Sequence, residues 1–119
     1  MILIKTPLRI SFFGGGTDIP EWYEQNNGSA INTTIDKFTY CTFRKIPSFY
    51  KINYRLRYFN HEEVKKIKDI KHNSIRESIN YFKLKGPLEI SHNADLVSQS
   101  GLGSSSSFTV SLVHAISLI

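Results

Sequence analysis

The stretch LEISHNADLVSQSGLGSSSSFTVSLVHAISLI, Leu88 to Ile119, restricts the fold more than any other part of the chain. Its first nine residues alternate as a strand does. From Gly103 or Ser104 onward, Phe108, Leu112, Ala115 or Ile116, and Ile119 recur on one helical face. Between the two, Gly101 and Gly103 run into four consecutive serines, which admit three readings: a flexible linker, the cap of an ordinary helix, or a cradle for phosphate. A glycine-rich turn lets successive backbone N–H groups point into one concavity, and a following helix adds the positive end of its dipole. Serine hydroxyls in the first turn can cap the helix, donate to phosphate or ligate Mg²⁺. The linker is the weakest reading, because apolar periodicity resumes at once. Neither common phosphate fingerprint fits, since there is no G-x-G-x-x-G and no lysine follows the glycines.

Upstream, residues 2 to 5 and 8 to 13 read as two short strands broken at Pro7, or as one kinked strand. GGGTD, Gly14 to Asp18, allows a turn that side chains would obstruct. Thr17 or Asp18 can cap a helix in IPEWYEQNN, with Pro20 in its first turn and Asn27-Gly28 at its stop. From Ser29 the period changes to two: SAINTTID, KFTYCTFRKI and YKINYRLRYF predict three antiparallel strands, with turns at Asp36-Lys37 and from Ile46 to Phe49. From His61 to Leu84 the spacing is helical, Val64, Ile67 and Ile70 forming one face and Ile75, Ile79 and Phe82 another, with a break at Asn73-Ser74. No repeat or internal boundary divides residues 1–119.

At 119 residues, 40% hydrophobic and 21% charged, the chain has the composition of one soluble domain. No apolar run approaches the roughly 18 residues that span a bilayer, so no membrane role is expected. A lone cysteine, Cys41, forms no internal disulfide and makes a cytoplasmic setting the default. It sits in an alternating strand, as a packing residue does. His61, His72, His92 and His114 lack partners at metal-ligand spacing. Trp22 and Tyr23 either stack on a sugar ring or pack into the protein. The net charge of +5 draws anions, but much of it lies between Arg55 and Lys85, mixed with acids as on a solvated helical face. A basic nucleic-acid-binding domain is the alternative from another class; the sequence holds no recognised motif for it.

Two further residues have double readings. Asp18 either caps a helix or accepts hydrogen bonds from ligand hydroxyls. Arg9 is either an alternating strand charge or a fixed cation that stabilises charge on a transferred phosphoryl group.

Together, TPLRISFFGGGTD and, about ninety residues later, SGLGSSSSFTV resemble the GHMP kinases, small-molecule kinases that include galactokinase, homoserine kinase and mevalonate kinase. Their first motif is like A-P-G-R-[IV]-x-[LF]-x-G-E-H-T-D and their second like P-x-x-x-G-L-G-S-S-[AS]. Within the family, GGGTD is most similar to the kinases of D-glycero-D-manno-heptose 7-phosphate, with L-fucose kinases as near relatives. The resemblance implies an α+β fold, the family's N-terminal ATP-binding domain, with a mixed or antiparallel sheet and helices on one face. It implies ATP and Mg²⁺ as cofactors and a sugar phosphate as the small-molecule partner, phosphorylated to the 1,7-bisphosphate in the heptose case. Ser100, Gly101, Leu102, Gly103, Ser104, Ser105 and Ser106 would form the loop for the ATP phosphates, with Ser105 the Mg²⁺ ligand. Arg9 would lie close to the reacting phosphoryl group, and Gly15, Gly16, Thr17 and Asp18 would bind the acceptor. Gly15 and Gly16 replace galactokinase's Glu-His, which argues for a substrate needing more room.

The chain departs from the pattern where Val97 stands for the usual proline and Gln99 for a glycine. The family's catalytic aspartate, Mg²⁺-binding glutamate and third motif would lie beyond residue 119. The resemblance covers roughly the first third of a typical member, with no second domain. The chain is therefore expected to be a portion ending inside a helix, whose uncovered apolar face pairs with a second copy or another partner. By itself it should not phosphorylate sugars; ATP turnover across a sugar panel checks this, and phosphorylation abolished by Ser105→Ala would refute it.

Overall fold

The computed structural model describes residues 1–47, 49–97 and 100–119. The alternating Thr, Ile, Tyr and Phe residues from Ile31 to Lys45 form the long central strand β2, to which β1 (Ile2–Phe13) pairs antiparallel. After β1 come a 3-10 turn, Gly15–Asp18, and the single-turn helix α1 (Pro20–Tyr23). β3 (Tyr54–Arg57), β4 (His61–Val64), α2 (Asn73–Tyr81), β5 (Leu88–Ala94) and α3 (Ser104–Ser117) complete the chain. The strands make one sheet in the order β1-β2-β5-β3-β4. β3 and β5 run parallel, joined through α2, and the other pairs are antiparallel, so the sheet is mixed.

Both longer helices lie on one face of this sheet. Cys41, Phe43, Leu88, Ile90, Tyr54 and Leu56 from the strands meet Ile75 and Ile79 of α2 and Phe108, Leu112, Ala115 and Ile116 of α3 in one cluster. Burying side chains of that size stabilises by about 1.5–3 kcal/mol each, which holds α3 on the sheet. The α3 face expected to lie uncovered is thus packed, except at Ile119; Val110, Val113 and Leu118 remain exposed. Burial pushes the Cys41 thiol up to about 12, which makes it an inert packing residue. Among the described residues no helix is long and apolar enough to cross a membrane.

The opposite face carries polar and charged residues, of which Arg55 and Glu89 are buried. One cross-strand row reads Arg44, Glu89, Arg55, Glu63, and its charges alternate. Glu89 takes Arg44 at 2.7 Å and Arg55 at 3.5 Å, Glu63 takes Arg55 at 2.7 Å, and the Tyr50 ring lies 4.4 Å from the Arg55 guanidinium. These arginines are engaged by carboxylates, which lowers what this face offers to an anionic polymer.

Five expectations need correction. The third strand predicted from the period of two is only Tyr54–Arg57 and pairs parallel with β5, not antiparallel with β2, and α1 stops at Tyr23, before Asn27-Gly28. Asp36-Lys37 is not a turn: β2 is continuous, and its register jumps from Phe38, opposite Pro7, to Thr34, opposite Arg9. Three residues, 35 to 37, thus oppose Leu8 alone, and the turn signal emerges as a bulge that bends the pair. The helix expected from His61 begins only at Asn73, because residues 61–64 instead supply a hydrogen-bonding partner to the edge of β3. Glu62 fixes that strand, accepting the Lys71 N–H at 2.7 Å and the Tyr58 hydroxyl at 2.6 Å. Last, neither Thr17 nor Asp18 caps α1; Ile19 is its N-cap residue, with no side-chain cap. The expected turn from Ile46 to Phe49 includes residue 48, which lies outside the described residues.

His72 and His92 both stack on Phe108, with ring centroids 5.2 and 4.5 Å away. Among the described residues the buried His72 Nδ1 and His92 Nε2 have no hydrogen-bond partner. Burial lowers the pKa of both below 6.5; Glu62 opposes the shift at His72, and the charge of His72 adds to it at His92. The unfolded chain therefore binds more protons than the folded one just below pH 6.5, and stability falls as pH drops through that window. A second loss follows below 4.5: burial pushes the Glu62 carboxyl up, but hydrogen bonds from Lys71 N–H and the Tyr58 hydroxyl outweigh it and hold it low. Urea midpoints should be level just above neutrality and decline as pH falls from about 6.5; His92→Leu should flatten the first part of the decline.

Candidate functional site

Among the described residues no side chain caps the start of helix α3. Gly103 is its N-cap residue at φ 73°, ψ 21°, and Gly101 also has φ 73°. Two left-handed residues in three bend the chain sharply into the helix, which glycine does at low cost. The first N–H to bond back is that of Ser107, to the Gly103 carbonyl at 2.9 Å. The amides of Ser104, Ser105 and Ser106 therefore stand at the positive end of the helix without an intrahelical acceptor. Ser105 and Ser106 are exposed and Ser104 is half-buried. The carbonyl of Ser105 accepts the Thr109 hydroxyl at 3.0 Å. Gln99, at the loop's entry, lies outside the described residues.

Arg9 meets this loop from β1. Its N–H donates to the Leu102 carbonyl at 3.1 Å, and its Cγ lies 2.9 Å from where a Cβ on Gly103 would be. The first motif's cation and the second motif's glycine are thus in contact. Ser107, the fourth serine, points inward and donates to the Pro7 carbonyl at 2.9 Å. One turn on, Ser111 is fully buried, donates to the Ser107 carbonyl at 2.9 Å and bonds the Thr6 hydroxyl. These inward serines escaped the sequence reading; the available signal was two small polar residues, four apart, flanking Phe108 and Leu112 on the apolar stripe.

The glycine turn is built differently. Gly14 has φ 82°, and a Cβ there would come within 1.8 Å of the Ser29 carbonyl oxygen, so only glycine fits. The Thr17 hydroxyl lies 2.7 Å from the Gly14 carbonyl it donates to, and it accepts the Ser29 N–H at 3.1 Å. Thr17, expected among the acceptor-binding residues, gives its one proton to the turn itself and ties the turn to the chain just before β2 by accepting the Ser29 N–H. Gly15, Gly16 and Asp18 are exposed, and a Cβ on Gly16 would meet nothing within 4 Å. Among the described residues neither Arg9 nor Asp18 is in an ion pair. Trp22 and Tyr23 are exposed on α1, outside the core. A hollow of about 600 Å³ lies by Met1, Lys45, Lys85 and Ile119, and neither motif lines it.

The loop's uncapped amides, exposed hydroxyls and adjacent guanidinium are the donor set that phosphate oxygens require. For a hard divalent cation the exposed serines Ser105 and Ser106 carry the loop's hydroxyl donors; among the described residues no cluster of three His, Cys, Asp or Glu forms a metal site. Gly101→Ala and Gly103→Ala should each cost about 1 kcal/mol of backbone strain in urea titrations. Only Gly103→Ala should also shift the Arg9 Nε resonance, because its methyl must push that side chain aside.

No protein-family model matches the chain, and no curated protein sequence does. Solved structures match over almost all of it. A D-glycero-D-manno-heptose 1-phosphate kinase from Bacteroides thetaiotaomicron superposes with a TM-score of 0.80 at 23% identity, covering 97% of this chain and 40% of its own. A Campylobacter jejuni protein described as a sugar kinase gives 0.72 at 26% identity, over 98% of this chain and 38% of its own. The Methanococcus jannaschii mevalonate kinase gives 0.71 at 20% identity, over 98% and 39%. The chain spans about two fifths of the length of these structures. These neighbours are GHMP-family kinases, and it is with them that the chain belongs in fold, through its mixed five-stranded sheet and the helices packed on it.

Proposed function

We propose that this chain holds the phosphates of ATP in its glycine loop and serves phosphoryl transfer to a sugar or sugar phosphate. The observation that carries the reading is the contact between Arg9 and Gly103, with the Arg9 N–H on the Leu102 carbonyl. It brings a fixed cation to an uncapped helix start, two features that separately have ordinary structural uses. In phosphoryl transfer little covalent work falls to the protein, so positioning and electrostatics dominate. The amides of Ser104 to Ser106 would bind the terminal phosphates, and the Arg9 guanidinium would offset charge that grows on the equatorial oxygens. The Asp18 carboxylate, exposed at the end of the glycine turn, would accept hydrogen bonds from acceptor hydroxyls and orient them. Mg²⁺, held by Ser105 together with the phosphates, would neutralise phosphate charge.

The acceptor we propose is D-glycero-D-manno-heptose 7-phosphate, giving the 1,7-bisphosphate. A neighbour named for a phosphate of the same heptose and the open space over Gly16 support this choice, with a fucose-type acceptor as the nearest alternative. The remaining catalytic groups would come from residues beyond this chain, so by itself it should bind ATP without turning it over.

Titration of the chain with ATP and Mg²⁺, followed by amide NMR, should move Ser104, Ser105, Ser106 and Arg9; no movement there would overturn the reading. Ser105→Ala should weaken ATP binding several-fold when Mg²⁺ is present and change it little when the metal is chelated.

A further inference from the structure

The bulge between β1 and β2 leaves the peptide groups on either side of Leu8 to partners outside the sheet. The Pro7 carbonyl accepts the Ser107 hydroxyl at 2.9 Å, and two residues on, the Arg9 N–H donates to the Leu102 carbonyl at 3.1 Å. Leu8 between them is fully buried. The two bonds straddle the start of α3, one reaching the loop before Gly103 and the other reaching the helix after it. β1 is thus held at two points, by the loop on one side of Gly103 and by the helix on the other, which opposes sliding of the strand against the start of α3.

We infer that Ser107 is a positioning residue, whose hydroxyl, acting through the Pro7 carbonyl, sets the register between β1 and the glycine loop and so keeps the Arg9 side chain against Gly103. The inference rests on the reading of that loop as a phosphate site. It assigns Ser107 a task distinct from that of its neighbours: Ser105 and Ser106 face solvent, whereas Ser107 is buried and faces the strand. Without its hydroxyl the Pro7 carbonyl loses this partner, and the Arg9–Leu102 bond becomes the sole described hydrogen bond joining the strand at this point to the loop. The same helix stays anchored one turn on by Ser111 and Thr6 and, more strongly, by Phe108 and Leu112. The expected result is accordingly a local loosening of Arg9 and not loss of the fold.

Amide hydrogen exchange on the 119-residue chain tests this directly. Ser107→Ala should speed exchange of the Arg9 amide about fivefold, the effect of one lost side-chain hydrogen bond. The amides of Leu56 and Ile90 in the central strands should keep their protection. Ser107→Cys fills the same space with a weak donor and should behave like Ser107→Ala, while Ser107→Thr, which keeps the hydroxyl, should restore slow exchange. Unchanged Arg9 exchange in both hydroxyl-free variants would overturn the proposal, as would acceleration equal at Arg9, Leu56 and Ile90, which marks a merely structural serine. Titration with Mg²⁺ and ATP separates the two readings. If Arg9 exchange depends on Ser107 but the wild-type chain gives no response to Mg²⁺ and ATP, the phosphate-site reading fails and the Ser107 clamp stands.

Discussion

The fold and the candidate site meet where β1 leaves its regular pairing with β2. Three residues of β2 opposite Leu8 alone bend the pair, and the backbone of β1 is then held by α3 and its loop. Backbone groups buried at such a place must find partners, because an unpaired one costs about as much as a lost hydrogen bond. The partners here are the Leu102 carbonyl and the Ser107 hydroxyl. A site built from the first and last thirds of the chain therefore depends on an irregularity in the sheet.

The two faces of the sheet divide the labour. The helix-covered face supplies the apolar burial that fixes where α3 begins, and hence where the loop amides point. The opposite face carries a row of alternating charge that satisfies itself across four strands. On the buried side, two imidazoles against Phe108 are kept neutral by desolvation, so the residue that opens the apolar stripe of α3 sits on a pH-sensitive layer. Glu62, carried on a short edge strand, reaches the same layer as a satisfied carboxylate.

Much of this was legible in the sequence. The strand, glycine turn and apolar helix from Leu88 onward were plain, because alternation and helical spacing are local signals and both agree with the packing. The fold with helices on one face followed from the resemblance of two motifs. Asp36-Lys37 was misread because a pair of residues suited to a turn is equally suited to a bulge, and only the partner strand decides between them. Residues 61 to 64 were misread because Val64, Ile67 and Ile70 fit a helix equally well, while the unpaired edge of β3 was invisible. That Thr17 also joins the turn to Ser29 was invisible, because the approach of Ser29 is a tertiary contact.

The sequence by itself determined which residues have the chemistry: glycines free to adopt positive φ, serines at a helix start, one arginine and one aspartate in short motifs. It also determined the local elements that carry them. Only the tertiary structure decided that Arg9 touches Gly103, that Ser107 turns inward while Ser105 stays outside, and that the two glycine motifs differ in what they leave exposed. The reason is physical. Propensity and periodicity act over a few residues, whereas contacts between residues about ninety positions apart are set by strand register and helix packing, which depend on the whole core at once.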